Sequence, residues 1–219
     1  MAPERCRMQV IGVTGGVATG KSLLTEAFRK QGAAVISADT ISHEVASPGS
    51  TELRRIAEEF GERFVTKDGS LDRKALGDLV FSNPEARKKL EAILHPAILK
   101  RIRDEIERLR NLPDPPEVVI VEVPLLYEVG MEDWFDKVLV VAATAEDQVR
   151  RLQERDGLSA EAARLRIEAQ MPLESKVARA DYVIWNTGRP EDLGMAAAGI
   201  VKSLSEGGIL RETACNIAR

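Results

Sequence analysis

The sequence predicts an α/β fold: a five-stranded parallel sheet with helices on both faces. Three observations carry that expectation. Five short apolar runs, rich in β-branched residues, are continuous rather than alternating, as in strands buried on both sides. They are Val10-Ile11-Gly12-Val13-Thr14, Ala34-Val35-Ile36, Val118-Val119-Ile120-Val121, Val138-Leu139-Val140-Val141-Ala142 and Tyr182-Val183-Ile184-Trp185. Helical periodicity fills the gaps between them, the arrangement of βαβ units. The first run leads straight into Gly15-Gly16-Val17-Ala18-Thr19-Gly20-Lys21-Ser22, and an amphipathic segment, Leu23 to Gln31, follows. Glycine, four residues, then Gly-Lys-Ser between a strand and a helix is the P-loop pattern, so the sheet is expected to be that of a P-loop NTPase fold.

The P-loop is the chemically informative stretch. Glycines let backbone amides converge on phosphate oxygens, and the helix N-terminus adds partial positive charge. Gly16, Val17, Ala18, Thr19, Gly20, Lys21, Ser22 and Leu23 are therefore expected to bind ATP. Lys21 reaches the β- and γ-phosphates in this motif, and the Ser22 hydroxyl ligates Mg²⁺. Ligands on such sheets sit at the C-terminal ends of the strands, where the remaining chemistry is expected.

Two gaps between strands are too long for simple crossovers. The first, from Ser37 to about Pro116, opens with Ser47-Pro48-Gly49-Ser50 and continues as a helical run, Thr51 to Phe60. After a turn at Lys67-Asp68-Gly69, Asp72 is placed to cap a short helix burying Leu76, Leu79 and Val80. Asn83-Pro84 starts the next helix. Leu90, Ile93 and Leu94 share a face, and Ile98, Ile102, Ile106 and Leu109 continue at helical spacing beyond Pro96, as the second arm of a hairpin. Leu112-Pro113-Asp114-Pro115-Pro116 then leads into the third strand. The second gap, Glu146 to Asp181, reads as two helices: Glu146 to Arg155, and one capped by Ser159 that stops before Pro172. Arg150, Arg151, Arg155, Arg164, Arg166, Lys176 and Arg179 crowd this stretch among acidic residues. That pattern suits either a solvated, salt-bridged helix pair or a lid that closes over phosphates. Leu193 to Leu204 forms a final helix. The expected organisation is a nucleotide-binding core over 1–38, 117–145 and 180–206, a helical insertion over 39–116, a lid over 146–179 and a loosely ordered tail over 207–219.

Composition narrows the class. The 219 residues are 44% hydrophobic and 30% charged, enough apolar matter for a core. A net charge of −4 argues against nucleic-acid or anionic-membrane partners. Cys6 and Cys215 lie near opposite termini without metal-ligand or redox spacing, which points to free thiols in a reducing cytoplasm. No apolar run approaches the ~20 residues that span a bilayer, and Met-Ala-Pro-Glu-Arg-Cys-Arg carries no apolar segment of a signal peptide. A cytoplasmic location is expected. The Asn-Lys-x-Asp signature of GTPases is absent. Two insertions on a P-loop core suit a small-molecule kinase, one holding the acceptor and the other shutting out water.

Several stretches together resemble dephospho-coenzyme A kinase. Val13-Thr14-Gly15-Gly16 through Lys21-Ser22 is similar to that family's opening, and Ala38-Asp39 follows the second strand where the family carries Asp-Ala-Asp. Asp68-Gly69-Ser70-Leu71-Asp72-Arg73 and Leu94-His95-Pro96 match its insertion. Val123-Pro124-Leu125-Leu126-Tyr127-Glu128 resembles its Pro-Leu-Leu-Phe-Glu segment. Gln148 to Asp156, Ala169-Gln170-Met171-Pro172, Lys176, Ala180-Asp181 and Asn186 match its lid and last strand. The resemblance covers about residues 9 to 205. Ser37 and Glu122 stand where the family usually has aspartates.

The resemblance implies transfer of the ATP γ-phosphoryl group to the ribose 3′-hydroxyl of dephospho-CoA, the last step of coenzyme A biosynthesis. In such transfers a protein mostly aligns groups and neutralises charge. Lys21 and Asp39 are the implied catalytic pair, with Lys21 stabilising the transferred group. Asp39 would orient the hydroxyl or accept its proton, and its other reading is a helix N-cap. Glu122, with Ser22, is the implied Mg²⁺ partner, or else a solvent-facing strand end. Arg151 and Arg155, four apart on one helix face, would contact ATP. Asn186 would read adenine, though an Asn-Thr-Gly turn also accounts for it. Asp39, Arg73, His95, Leu125 and Glu128 are the implied acceptor residues. Packing is the alternative for His95 and Leu125. Two rivals are a nucleoside monophosphate kinase, which the Pro-Leu-Leu-Tyr-Glu segment disfavours, and a nucleotide sensor, which intact Gly-Lys-Ser and Asp39 disfavour.

Overall fold

The strands β1 (Gln9–Gly15), β2 (Ala34–Ser37), β3 (Val118–Glu122), β4 (Lys137–Ala142) and β5 (Tyr182–Trp185) form one parallel sheet in the order β2-β3-β1-β4-β5. These come from a computed structural model that describes residues 8–186 and 190–205. β1 lies at the centre, with β3 on one side of it and β4 on the other. Val13 pairs with Glu122 and Gly15 with Val141, so β3, β1 and β4 end side by side and the glycine-rich loop leaves from the middle of the sheet.

The continuous apolar runs are explained by what covers them. On one face Ile11, Val13, Val118, Ile120, Leu139, Val141 and Ile184 pack with α1 (Lys21–Lys30) and α9 (Pro190–Ser205) through Leu24, Phe28, Leu193, Ala197 and Ile200. On the other, a side chain at Gly12 would strike Phe135 and Leu126, so that glycine admits the segment after β3. The lid region holds α6 (Ala145–Asp156), α7 (Ala160–Glu168) and α8 (Leu173–Arg179). Two helices were expected there. The third, α8, escaped because its one fully buried residue is Lys176, so it has no apolar period to read. Thr144 and Ser159 cap α6 and α7, and Gly157 ends α6 in the left-handed conformation (φ 67).

Packing divides the chain into two compact units: the described parts of Met1–Ile36 and Leu109–Arg219, and Ser37–Arg108. The second unit has its own core of Ala46, Ile56, Phe64, Leu76 and Ile93. It comprises α2 (Ala38–Val45), α3 (Thr51–Phe60), α4 (Arg73–Ser82) and most of α5 (Pro84–Arg110). Asp72 caps α4 as expected, accepting from the Ala75 amide at 3.0 Å. The hairpin expected around Pro96 is instead one 27-residue helix. Proline deletes one helical hydrogen bond, but Ile93 before it and Ile102 and Ile106 beyond it are buried, which holds both halves on one axis. Among the described residues no helix is long and apolar enough to cross a membrane. Cys6, Cys215 and the tail over 207–219 lie outside them.

Candidate active site

The site is built on the loop between β1 and α1. Gly20 has φ 98, and a Cβ there would lie 2.2 Å from Asn186 Nδ2. A Cβ on Gly16 would lie 2.5 Å from Gln148 Nε2. Gly20 is thus required by its left-handed backbone, and a side chain at Gly16 would displace the Gln148 amide. α1 starts directly at Lys21, with neither a side-chain cap nor an acidic residue in its first turn. Its own first turn therefore leaves the N-terminal amides uncapped, the condition for holding an anion.

Three side chains from outside the loop grip its carbonyls in succession. Gln148 Nε2 donates to Val17 O at 2.6 Å, Arg151 Nη1 to Ala18 O at 3.2 Å, and Asn186 Nδ2 to Thr19 O at 2.8 Å. Arg151 Nη2 also donates to Asn186 O at 2.8 Å, joining α6 to the end of β5. Gln148 and Asn186 are 2% and 5% exposed, so these bonds are made away from water, where an unpaired partner is costly. Within the loop Thr19 Oγ1 donates to Gly16 O at 2.9 Å and Lys21 Nζ to Gly16 O at 2.7 Å. Gln148 was not singled out from sequence. The available signal was its place three residues before Arg151 on one helix face.

Beside the loop, the end of β3 meets the first turns of α1. Ser22 Oγ donates to Glu122 Oε1 at 3.1 Å, and Thr25 Oγ1 donates to Glu122 Oε2 at 3.1 Å. Glu122 is only 6% exposed, so it is not a strand-end charge facing solvent. A second contact, Thr25, went unread in the sequence, although it lies one helical turn after Ser22. A hydroxyl and a carboxylate are hard oxygen donors that suit Mg²⁺, which takes few protein ligands and keeps water and phosphate oxygens. No cluster of three or more His, Cys, Asp or Glu able to hold a metal occurs among the described residues.

The dephospho-CoA kinase family model matches residues 9–192, most of the chain. A dephospho-CoA kinase of Anaeromyxobacter dehalogenans (strain 2CP-C) is 45% identical over 200 residues, covering 91% of this chain and 94% of that protein. The solved dephospho-CoA kinase of Campylobacter jejuni is 33% identical with a TM-score of 0.67, covering 90% of this chain and 98% of that one. The chain belongs to the dephospho-CoA kinase family. It is an ATP-dependent kinase. The shikimate kinase of Acinetobacter baumannii, at 15% identity and a TM-score of 0.53 over 90% of this chain and 95% of that one, shares the fold.

As a dephospho-CoA kinase, the chain places its other expected site residues as follows. Arg155 does not touch the loop: its Nε and Nη2 bond both oxygens of Asp156 at 2.7 and 2.9 Å, and Arg166 binds the same carboxylate. Hydrogen bonding to Arg155 holds the Asp156 carboxyl below its usual range. Leu23 is 54% exposed on α1, and Leu125 is half-buried in the segment after β3. Glu128 Oε1 accepts from Lys176 Nζ at 2.8 Å and from the Met171 amide at 3.1 Å. Lys176, which the sequence left open as part of a solvated helix pair or of a lid, is fully buried. Asp39, Arg73 and His95 belong to the Ser37–Arg108 unit. Asp39 is exposed in the first turn of α2, and the cap of that helix is Ser37, whose Oγ accepts from the Thr40 amide at 3.3 Å. Asp39 is therefore not the N-cap that its position in the sequence also allowed. Arg73 Nη2 donates to His43 O at 3.2 Å, and burial pulls its guanidinium below the usual pKa.

Proposed function

We propose that Mg²⁺-ATP sits on the Gly15–Ser22 loop and that its γ-phosphoryl group passes to the ribose 3′-hydroxyl of dephospho-CoA, completing coenzyme A. The observation that carries this reading is the bond from Ser22 to the buried Glu122 carboxylate, beside a loop gripped from outside. A rigid loop presents its amides without reorganising during transfer, which is where such sites gain their rate. Lys21 stabilises charge on the transferred group. Ser22 and Glu122 hold Mg²⁺, which neutralises phosphate charge when bound.

Asp39 orients the 3′-hydroxyl and takes its proton. With the capping of α2 carried by Ser37, its carboxylate is available for this work. Gly16, Val17, Ala18, Thr19, Gly20 and Leu23 line the nucleotide side. Arg151 and Asn186 serve ATP chiefly by shaping the loop, and Arg155 exchanges Asp156 for phosphate as residues 146–179 close and exclude water. Arg73, His95, Leu125 and Glu128 form the acceptor side, with residues 39–116 as the acceptor lobe. The reaction is cytoplasmic and needs neither nucleic acid nor membrane.

The test is to incubate the protein with ATP, Mg²⁺ and a panel of acceptors and follow ADP release. Turnover confined to dephospho-CoA supports the proposal. Preference for a nucleoside monophosphate, or ATP binding without turnover on any acceptor, overturns it.

A further inference from the structure

We infer that Lys176 is a positioning residue for phosphoryl transfer, acting through the segment that follows β3. The inference rests on the reaction proposed above. Lys176 has no exposed surface, yet its Nζ lies 2.8 Å from Glu128 Oε1 and donates to Pro124 O at 3.1 Å. Pro124 O also accepts from Thr14 Oγ1 at 3.1 Å, and Thr14 immediately precedes the glycine-rich loop. Glu128 Oε1 in turn accepts from the Met171 amide at 3.1 Å, in the link between α7 and α8. One ammonium thus ties α8 to the β3 segment, and through Pro124 to the exit of β1. Glu122, which holds Ser22 and Thr25, lies two residues before Pro124 on the same backbone.

Burying a lysine ammonium costs several kcal/mol in desolvation even beside a carboxylate, and a well-packed apolar side chain of similar volume is often as stabilising or more so. Stability alone therefore does not account for a fully buried lysine. What the pair supplies is a single register. Its bonds fix where the chain from Val123 to Glu128 lies against β1, and hence where Glu122 presents its oxygens to Ser22. An apolar replacement would still fill the space but leave that register unset. The Pro124 carbonyl would keep only Thr14, and Glu128 only the Met171 amide.

The grip on the nucleotide loop comes from Gln148, Arg151 and Asn186 and does not pass through Lys176. Loss of the lysine should accordingly reach turnover rather than ATP binding. The experiment is steady-state kinetics of Lys176→Met, Lys176→Arg and Lys176→Gln in the full chain, normalised to folded protein by circular dichroism and thermal melting. Expected are a fall in kcat of at least tenfold for Lys176→Met, a KM for ATP within threefold of wild type, and partial recovery in Lys176→Arg, which keeps the charge. Should Lys176→Met not fold, Lys176→Gln, which keeps an N–H donor but loses the charge, decides, with the same expected separation of kcat from KM. Wild-type kcat per folded molecule in these variants, with only a lowered melting temperature, would overturn the inference, as would a change confined to the KM for ATP. Absence of wild-type turnover on dephospho-CoA would instead overturn the reaction itself.

Discussion

Ala18 is the one non-glycine residue with positive φ among the described residues, at 57°. An L-residue in that conformation carries a cost of about 1–2 kcal/mol from Cβ crowding, partly offset by the smaller entropy it loses on folding compared with glycine. Ala18→Gly should therefore stabilise the protein by about 0.5–1 kcal/mol, a rise of roughly 1–4 °C in melting temperature, read by calorimetry. Tyr127 is the second isolated cost. Its hydroxyl is buried without a hydrogen-bond partner, while Arg179 stacks over its ring at 4.4 Å. Burial pushes the phenol up to about 12, with Arg179 opposing and Asp181 and Glu132 adding to the rise. Removing an unsatisfied hydroxyl relieves a desolvation penalty, so Tyr127→Phe should gain about 1 kcal/mol. The sign of the pH effect follows from the two states. Between pH 10 and 12 the unfolded chain ionises this tyrosine while the folded one does not, so wild type loses stability as pH rises through that window. Tyr127→Phe lacks this slope, and urea unfolding at pH 8, 10 and 11 should show its advantage widening. An equal advantage at all three would contradict the burial of the hydroxyl.

The decisive element is the glycine-rich loop with its supports. Gly15 to Ser22 was legible because the motif is local: spacing, strand and helix all lie within about twenty residues. The supports were not, because Gln148 and Asn186 lie more than a hundred residues from the carbonyls they bind. Asn186 read as an adenine contact or a turn residue, and Arg151 as an ATP contact. Their observed bonds are to loop backbone. Gln148→Ala should leave Val17 O without its buried donor at about 1–3 kcal/mol, and so weaken ATP binding roughly 5- to 100-fold by calorimetric titration. An unchanged affinity would mean the loop holds its shape unaided. Ser37 repeats the lesson on a smaller scale. As a departure from the family's aspartate it looked like a missing carboxylate, whereas its hydroxyl caps α2 and leaves Asp39 uncommitted.

For the whole molecule, the two proposed catalytic residues belong to different compact units, Lys21 to one and Asp39 to the other. That division yields a prediction that neither unit alone would make. Asp39→Asn should lower kcat at least ~100-fold if Asp39 acts as base, while ATP affinity stays at the wild-type value. A near-normal rate would remove the role, and a parallel loss of ATP affinity would place Asp39 in nucleotide binding instead. The sequence by itself determined the five strands, the phosphate loop, the caps Asp72 and Ser159, and the family, because apolar runs, glycine spacing and capping are properties of neighbouring residues. Only the tertiary structure decided that Glu122 is buried against Ser22 and Thr25, that Lys176 is buried rather than solvated, and that α5 runs through Pro96. Each of those depends on which distant side chain arrives opposite a polar group or an apolar face. A charged residue looks the same in sequence whether water or a carboxylate from another element is its partner, so periodicity carries no sign of which one it meets.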